Sequence, residues 1–520
     1  MVVAEGGGTE ALRGVAVAAG ALAGALAGVR WLRVAQREHY LPGAVSRFAW
    51  RWWGRHPVGA LGAAIAVGGA AWAWRYPAAA LVSAGVVAGG PPGLGVRGRT
   101  SPLAWTRRLR SLALVASVPA VVAVVAGTLA GIGPVVAAVT ALAAPLVVDL
   151  AAVVAAPVER WAGRSYVRRA GERLRRVHPT VVAITGSYGK TTTKGYVAHL
   201  VSGTKSVVAS PASFNNRAGL ARAVNENLVE GTEVFVAEMG TYATGEIAEL
   251  CSWIVPDVAV ITAVGPVHLE RFGSEDRIVE AKAEILAGAG RAVVNVDDPR
   301  LAALARRRAE AGQPVRRVSA HDRGADVCVV TEDDGVPVVY VDGDAVAAAP
   351  SGARPGNVGC AVAVALELDV PRAELIARLA TLAPAPHRLE TGISAAGVVV
   401  LDDTYNANPT GARVALATLA RLAGPSARRV VVTPGMVELG RRQRLENTGF
   451  AEEAAGVADD LVVVGRTNRR ALLAGAARAN GTSLRCVVVA RRDQAVAWVR
   501  EHLGPGDVVL YENDLPDHYP

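Results

Sequence analysis

The 520-residue sequence predicts an α-helical membrane region followed by an α/β half built on a P-loop parallel sheet. Three observations carry this. Long apolar stretches fill residues 1–157, the segment AITGSYGKTTTKGYVAHLV (183–201) holds a phosphate loop, and short apolar strands alternate with helix-like segments beyond it.

A helix that crosses a bilayer needs roughly 20 predominantly apolar residues. Such stretches run from about Gly14 to Val29, over 57–74, over 77–96 and through 111–156. In the last, Asp149 is the one charge in 46 positions, and GIGP (131–134) marks a turn between two helices. Residues 1–157 therefore read as about five transmembrane helices, with a basic cytoplasmic linker at 158–178. Ala and Gly are weakly apolar and 77–96 contains three prolines, so that segment also suits a buried helix of a soluble domain. Arginine sets the orientation, because short basic loops stay on the cytoplasmic side. Arg30, Arg33, Arg37, Arg47, Arg51 and Arg55 fill the first loop, and Arg97, Arg99, Arg107, Arg108 and Arg110 the third. Seven more arginines run from Arg160 to Arg176, whereas the alternate connections hold Arg75 or nothing. The N-terminus is expected outside and the α/β half in the cytoplasm: a multi-pass protein of the cell membrane. A signal peptide does not fit, since further spans follow and only Arg13 is basic before the first.

Charge is divided unevenly. Residues 1–180 hold 20 Arg, no Lys and 6 acidic residues, a net +14, against +9 for the whole chain, so residues 181–520 carry −5. The basic balance belongs to the membrane part, which argues against a nucleic-acid partner. Cys251, Cys328, Cys360 and Cys486 lie far apart without metal-ligand spacing, as expected of reduced cytosolic thiols.

The phosphate loop is short. Gly186, Gly189, Lys190 and Thr191 spell G-x-x-G-K-T, two residues fewer than the usual G-x-x-x-x-G-K-[ST]. TVVAIT before it reads as a buried strand and the segment to Leu200 as a helix. This arrangement aims backbone N–H groups and a helix dipole at phosphate. Lys190 is expected to reach the outer phosphates and the Thr191 hydroxyl to bind Mg²⁺. Further along, EVFVAE (233–238), DVAVIT (257–262) and AVVNV (292–296) are apolar runs with helical segments between them, hence a parallel sheet. Ligands in open α/β sheets sit beyond the carboxyl ends of strands. Glu238 closes one strand there, and His268 follows another in VITAVGPVHLE. Lys282 lies in the helix SEDRIVEAKAEIL. Taken singly, these are a solvated glutamate, a loop histidine and a surface lysine.

Read in order, the motifs say more. They are TGSYGKTTTK, SFNNRAG (213–219), AEMG (237–240), VGPVHLERFGS (264–274), EAKAEIL, APHRLE (385–390), LDDTYNANPTG (401–411) and GMVELG (435–440). Over roughly 180–510 this series resembles the Mur ligase family, the ATP-dependent amide-forming enzymes of peptidoglycan precursor synthesis. It is most similar to the branch that adds D-alanyl-D-alanine to the UDP-MurNAc-tripeptide. The resemblance implies a central ATP-binding domain at 179–383 and a C-terminal Rossmann-like α/β domain at 384–520. It implies that a carboxylate attacks the γ-phosphate of ATP to give an acyl phosphate, which an amino-acid or dipeptide amine then displaces. By resemblance, Gly186, Ser187, Gly189, Lys190, Thr191 and Thr192 surround the phosphates, and Thr191 and Glu238 hold one Mg²⁺. His268 and a carbamylated Lys282 hold a second Mg²⁺, Asn357 is among the cofactor-binding residues, Asp402 binds the ATP ribose, and Arg388 contacts the nucleotide phosphates.

Three departures accompany the resemblance. Membrane helices replace the family's soluble domain that grips uridine diphosphate, which points to a lipid-linked or membrane-proximal carboxylate donor. GNVGCAVAVA (356–365) keeps Asn357 but carries Cys360 where a second asparagine is usual. The chain ends GDVVLYENDLPDHYP (506–520) where the family branch has a basic KGS-like strand end. A poly-γ-glutamate-synthetase-like membrane amide ligase is the alternative reading, although DDTYNANP and a full C-terminal domain suit a single addition. A transporter with a fused P-loop ATPase is a further one, but no LSGGQ-like signature is found.

Overall fold

A computed structural model describes residues 4–54, 57–98, 102–211, 214–333, 335–350, 352–383, 389–405, 408–479 and 484–519. The chain divides into two compact units: residues 1–163 with 515–520, and residues 164–514.

The first unit is helical. It contains α1 (Ala4–Arg37), α2 (Ala44–Gly54), α3 (Pro57–Trp72), α4 (Pro77–Gly89), α5 (Arg107–Leu129), α6 (Gly133–Leu142) and the start of α7 (Ala144–Val177). α1 packs against α4 and α6. Small residues set that approach: a Cβ on Gly20 would lie 2.7 Å from the Cβ of Ala137. Asp149 is buried because it caps α2. Its carboxylate accepts from the N–H of Val45 at 3.2 Å and of Ser46 at 2.8 Å, and from the Ser46 hydroxyl at 2.5 Å. An anion is stabilised at that positive end of a helix. Arg30 is buried too, and its guanidinium donates to the carbonyls of Val87, Ala88 and Leu94 around the end of α4.

Two helices are long and apolar enough to cross a membrane, Gly8–Arg37 and Arg107–Leu129; α6 and α7, bent by 70°, make a third if they count as one span. α5 leaves Leu114, Val118, Val121, Val122 and Val125 exposed, the surface that lipid would cover. α3 and α4 are apolar but have 16 and 13 residues. At about 1.5 Å per residue they fall short of a bilayer core roughly 30 Å thick. α4 stops at Gly89 because Gly90 takes a φ of +66° and Pro91 and Pro92 follow. Nearly all of the basic stretch 158–178 lies in α7, which runs to Val177.

The second unit holds two sheets. β1 (Thr180–Thr185), β2 (Val207–Ala209), β3 (Val234–Glu238), β4 (Val258–Ile261), β5 (Arg291–Asn295), β6 (Val315–Ser319), β7 (Val327–Thr331), β8 (Pro337–Val341) and β9 (Asp344–Ala348) form the first. Their order is β2-β3-β1-β4-β5-β6-β7-β8-β9, parallel up to β7 and antiparallel at β8 and β9. The central strands β1, β3 and β4 are buried on both faces, as packing between helix layers requires. Val182, Ile184 and Val236 join Val197 and Leu200 of α8 (Lys190–Val201) in one core; Ala183, Phe235 and Ile261 line the other. Strand order reverses at β1, which lies between β3 and β4. Parallel sheets open a crevice at the carboxyl ends of strands where the order reverses. Register places Ile184 beside Glu238 and Thr185 beside Ile261 at that edge.

The second sheet comprises β10 (Glu390–Ile393), β11 (Val399–Asp403), β12 (Arg429–Thr433), β13 (Asp460–Val464), β14 (Arg485–Val489) and β15 (Val508–Glu512), in the order β10-β11-β15-β12-β13-β14. All but β10 run parallel, the Rossmann-like arrangement expected. Residues 515–520 fall with the first unit, so the second closes at Asp514.

Candidate active site

The loop between β1 and α8 is held open by contacts that exclude larger residues. Gly189 caps α8 in the left-handed region, φ +79°, and a Cβ there would lie 2.1 Å from Asn357 Oδ1. A Cβ on Gly186 would meet Thr262 Oγ1 at 2.0 Å. Thr262, just past β4, donates its hydroxyl to the Tyr188 carbonyl at 2.5 Å. Ser187 links the loop to the next strand end: its N–H donates to Ala263 O at 2.7 Å, and its hydroxyl accepts from Gly265 N–H at 3.1 Å. Thr191 and Thr192 follow Lys190 in the first turn of α8, whose N-terminus faces the crevice edge with its backbone N–H groups. The Lys190 ammonium folds back along the loop, donating to Gly186 O at 2.7 Å.

Glu238, the last residue of β3, is 2% exposed, and its carboxylate is fully placed. Lys194 Nζ lies 3.0 Å from one oxygen, and Asn215 Nδ2 donates to the other at 3.2 Å. Lys194 is buried as well, so the two charges compensate each other out of water. The sequence contained both partners, in TTTK and SFNNRAG, but their distance along the chain gave no signal that they meet.

His268 begins a short turn of helix, Leu269–Phe272, with φ +54°. Its Nδ1 meets the carboxylate of Glu438, from the GMVELG loop of the second sheet's domain, and the Tyr242 ring stands edge-on at 4.9 Å. Arg271 Nη2 reaches the other Glu438 oxygen at 3.2 Å, and Glu270 N–H donates to Glu438 O at 3.3 Å. A carboxylate on Nδ1 fixes the tautomer that donates there and leaves the Nε2 lone pair for a ligand. Glu438 was not singled out in the sequence; only its φ of +64° and this contact mark it.

Lys282 is 3% exposed within the helix Glu275–Ala283. Burial, and then the nearby Lys190 ammonium, push its amine well below the ordinary lysine range. Asn357 packs against Gly189 as described, while Cys360, one turn on, lies wholly in the core. Asp402, the next-to-last residue of β11, accepts from the Thr404 N–H at 3.0 Å and hydroxyl at 2.6 Å. Beside it, Asp403 pairs in register with Glu512 of β15, both buried. Burial and the Asp403 charge push the Glu512 carboxyl well above the usual carboxylate range. Arg388, at 384–388, lies outside the described residues.

Among the described residues no three His, Cys, Asp or Glu side chains form a metal cage. The donors beside the loop suit Mg²⁺ of another kind. It takes one or two protein oxygens and completes its shell with phosphate and water. Thr191 offers a hydroxyl, and each Glu238 oxygen keeps a lone pair beyond its one protein partner.

Comparison with known proteins agrees with this geometry. Residues 184–346 match the Mur ligase middle domain and residues 387–511 the Mur ligase glutamate ligase domain. The chain is 34% identical over 355 residues to the UDP-N-acetylmuramoyl-tripeptide–D-alanyl-D-alanine ligase of Mycobacterium tuberculosis (strain ATCC 25618 / H37Rv), covering 64% of this chain and 69% of that one. The enzyme of the same name from Bacillus subtilis (strain 168) is 28% identical, with 67% and 74% covered. MurF from Acinetobacter baumannii superposes with a TM-score of 0.58 at 26% identity, over 67% of this chain and 77% of that one. The MurF ligase of Thermotoga maritima, solved with ADP, gives 0.57 at 27%, over 68% and 80%.

Proposed function

This chain belongs to the Mur ligase family and is an ATP-dependent ligase of that type, and we propose that it activates a carboxylate as an acyl phosphate and joins it to an amino-acid or dipeptide amine at a membrane. The observation that supports this reading is that β1, which leads into the phosphate loop, and β3, which ends at Glu238, adjoin where the strand order of the first sheet reverses. The loop N–H groups and Lys190 bind and orient the ATP phosphates. Thr191 and Glu238 would hold one Mg²⁺, and His268 with carbamylated Lys282 a second; bound there, the metals neutralise two anions that must approach each other. Lys194 and Asn215 hold the Glu238 carboxylate in place. Asp402 serves the ribose, Asn357 backs the phosphate loop at Gly189, and Arg388 serves the phosphates. Closure of the C-terminal domain excludes water that would hydrolyse the acyl phosphate.

Glu438 bridges the two domains, so it belongs to this machinery as the group that orients His268. Loss of such an outer carboxylate costs about 10- to 100-fold. Glu438→Ala is expected to lower amine-dependent ADP release by that factor with ATP binding intact; an unchanged rate would show that His268 needs no partner.

The donor is proposed to be lipid-linked or membrane-proximal, because helices stand ahead of the matched domains. Five crossings, or three if the short α3–α4 pair does not traverse, both place the N-terminus outside and the ligase in the cytoplasm. Reporter fusions at residues 10, 45, 104 and 133 should read out, in, in, out. Residue 75 reads outside only if α3 and α4 cross, and a cytoplasmic residue 10 contradicts the odd count. The function itself is tested by ADP release from purified protein offered soluble and lipid-linked carboxylates against a panel of amines.

A further inference from the structure

The last residues of the chain return to the first unit, although the chain reaches them only through β15 of the second. They are not loosely laid on it. Asp517 Oδ1 lies 2.8 Å from Arg33 Nη1, whose side chain is 1% exposed at the end of α1. His518 Nε2 meets Glu38 Oε1 at 3.0 Å, with both side chains buried. The His518 carbonyl accepts from the Trp52 indole N–H at 2.9 Å, which satisfies that ring's one donor. Phe48 of α2 completes the seat, with the His518 ring 5.0 Å and the Tyr519 ring 4.9 Å away, the latter edge-on.

A buried guanidinium is tolerated only where an opposite charge and hydrogen bonds compensate it. The tail supplies that charge to Arg33, and Gly95 O accepts a second bond at 3.0 Å. A buried and a part-buried polar pair, a backbone carbonyl on an indole and two ring contacts therefore converge on three consecutive residues, Asp517 to Tyr519. Such convergence specifies one peptide in one register, whereas a generic sticky face would not choose.

We infer that residues 515–520 are a docking strap that fastens the catalytic unit to the helical N-terminal unit at a second point, independent of α7. The chain thus leaves the first unit after Gly163 and rejoins it at Leu515. The strap's binding is intramolecular, so its contacts act at high effective concentration while α7 is intact. The inference rests on the reading that the N-terminal unit is embedded in membrane, and the experiment separates the two.

A protease site is inserted after Gly163 in the full-length chain, membranes are prepared, and the folded protein is nicked and washed at near-physiological salt. With the native tail, most of the 164–520 fragment is expected in the membrane pellet. Deleting 515–520, or introducing Asp517→Arg, should lower the retained fraction at least fivefold, and Arg33→Asp combined with Asp517→Arg should restore it. A melting curve of the released fragment shows that it remains folded. Equal retention with and without the tail, whether high or low, overturns the strap. Appearance of the 1–163 fragment in the supernatant overturns the embedding instead.

Discussion

Lys190→Ala is expected to reduce amine-dependent ADP release by on the order of 10²-fold or more, the usual cost of removing a charge aimed at developing transition-state charge. The side chain opens α8 and lies along the phosphate loop, with its ammonium 2.7 Å from Gly186 O. Alanine keeps the helix and the glycine geometry, so the fold should survive. Steady-state kinetics with saturating ATP would show the loss in kcat, since phosphates are still gripped by the loop N–H groups. A second consequence follows from the position of Lys282, whose amine is pushed down partly by Lys190. Removing Lys190 lets Lys282 hold its proton more firmly, so the two lysines should be non-additive in a double-mutant cycle. Near-normal turnover of the single mutant would contradict the assignment of the loop.

Lys282→Ala should be comparably damaging and, unlike Lys190→Ala, partly reversible. A free ammonium 4 Å from a metal would be repelled by roughly 4 kcal/mol per unit charge at an effective dielectric near 20. A carbamate reverses the sign and offers oxygen, the donor Mg²⁺ prefers. Burial together with Lys190 favours the neutral amine, which is the nucleophile that takes up CO₂. Acetate or another small carboxylate should recover part of the mutant's activity by filling the missing position. Bicarbonate depletion should slow the wild type and leave the mutant unaffected. Full activity of Lys282→Ala without any added carboxylate would make this lysine a bystander and remove the second metal site.

Much of this was legible along the chain where structure is local. The strand–loop–helix of residues 180–201 is contiguous, so its glycines, Lys190 and Thr191 announced themselves by spacing. The strands ending at Glu238 and Ile261 were visible as short apolar runs, and their parallel order followed from the helices between them. What could not be read is set by distance in sequence. Nothing local pairs Lys194 with Glu238, Asn357 with Gly189, or Glu438 with His268, and these contacts complete the site. The apolar count also said too little about helix length. Residues 77–96 average as membrane, yet Gly90, Pro91 and Pro92 end α4 early. Asp149 looked like a stray charge among apolar residues until its cap on α2 explained it. The acidic C-terminal tail could be noticed as a departure, but its seat on α1 and α2 is a tertiary fact.

The measurement that tests the central claim most directly follows oxygen. Purified full-length protein is supplied with ATP, an amine panel that includes D-alanyl-D-alanine, and carboxylate donors labelled with ¹⁸O, both UDP-MurNAc-tripeptide and lipid-linked muropeptide carboxylates. An acyl phosphate collapses to amide and phosphate with one carboxylate oxygen leaving on the phosphate. The account predicts ¹⁸O in inorganic phosphate, one ADP per amide formed, and dependence of both on an amine. ADP released at the same rate without donor or amine, with no label in the phosphate, would show a P-loop ATPase and contradict the ligase.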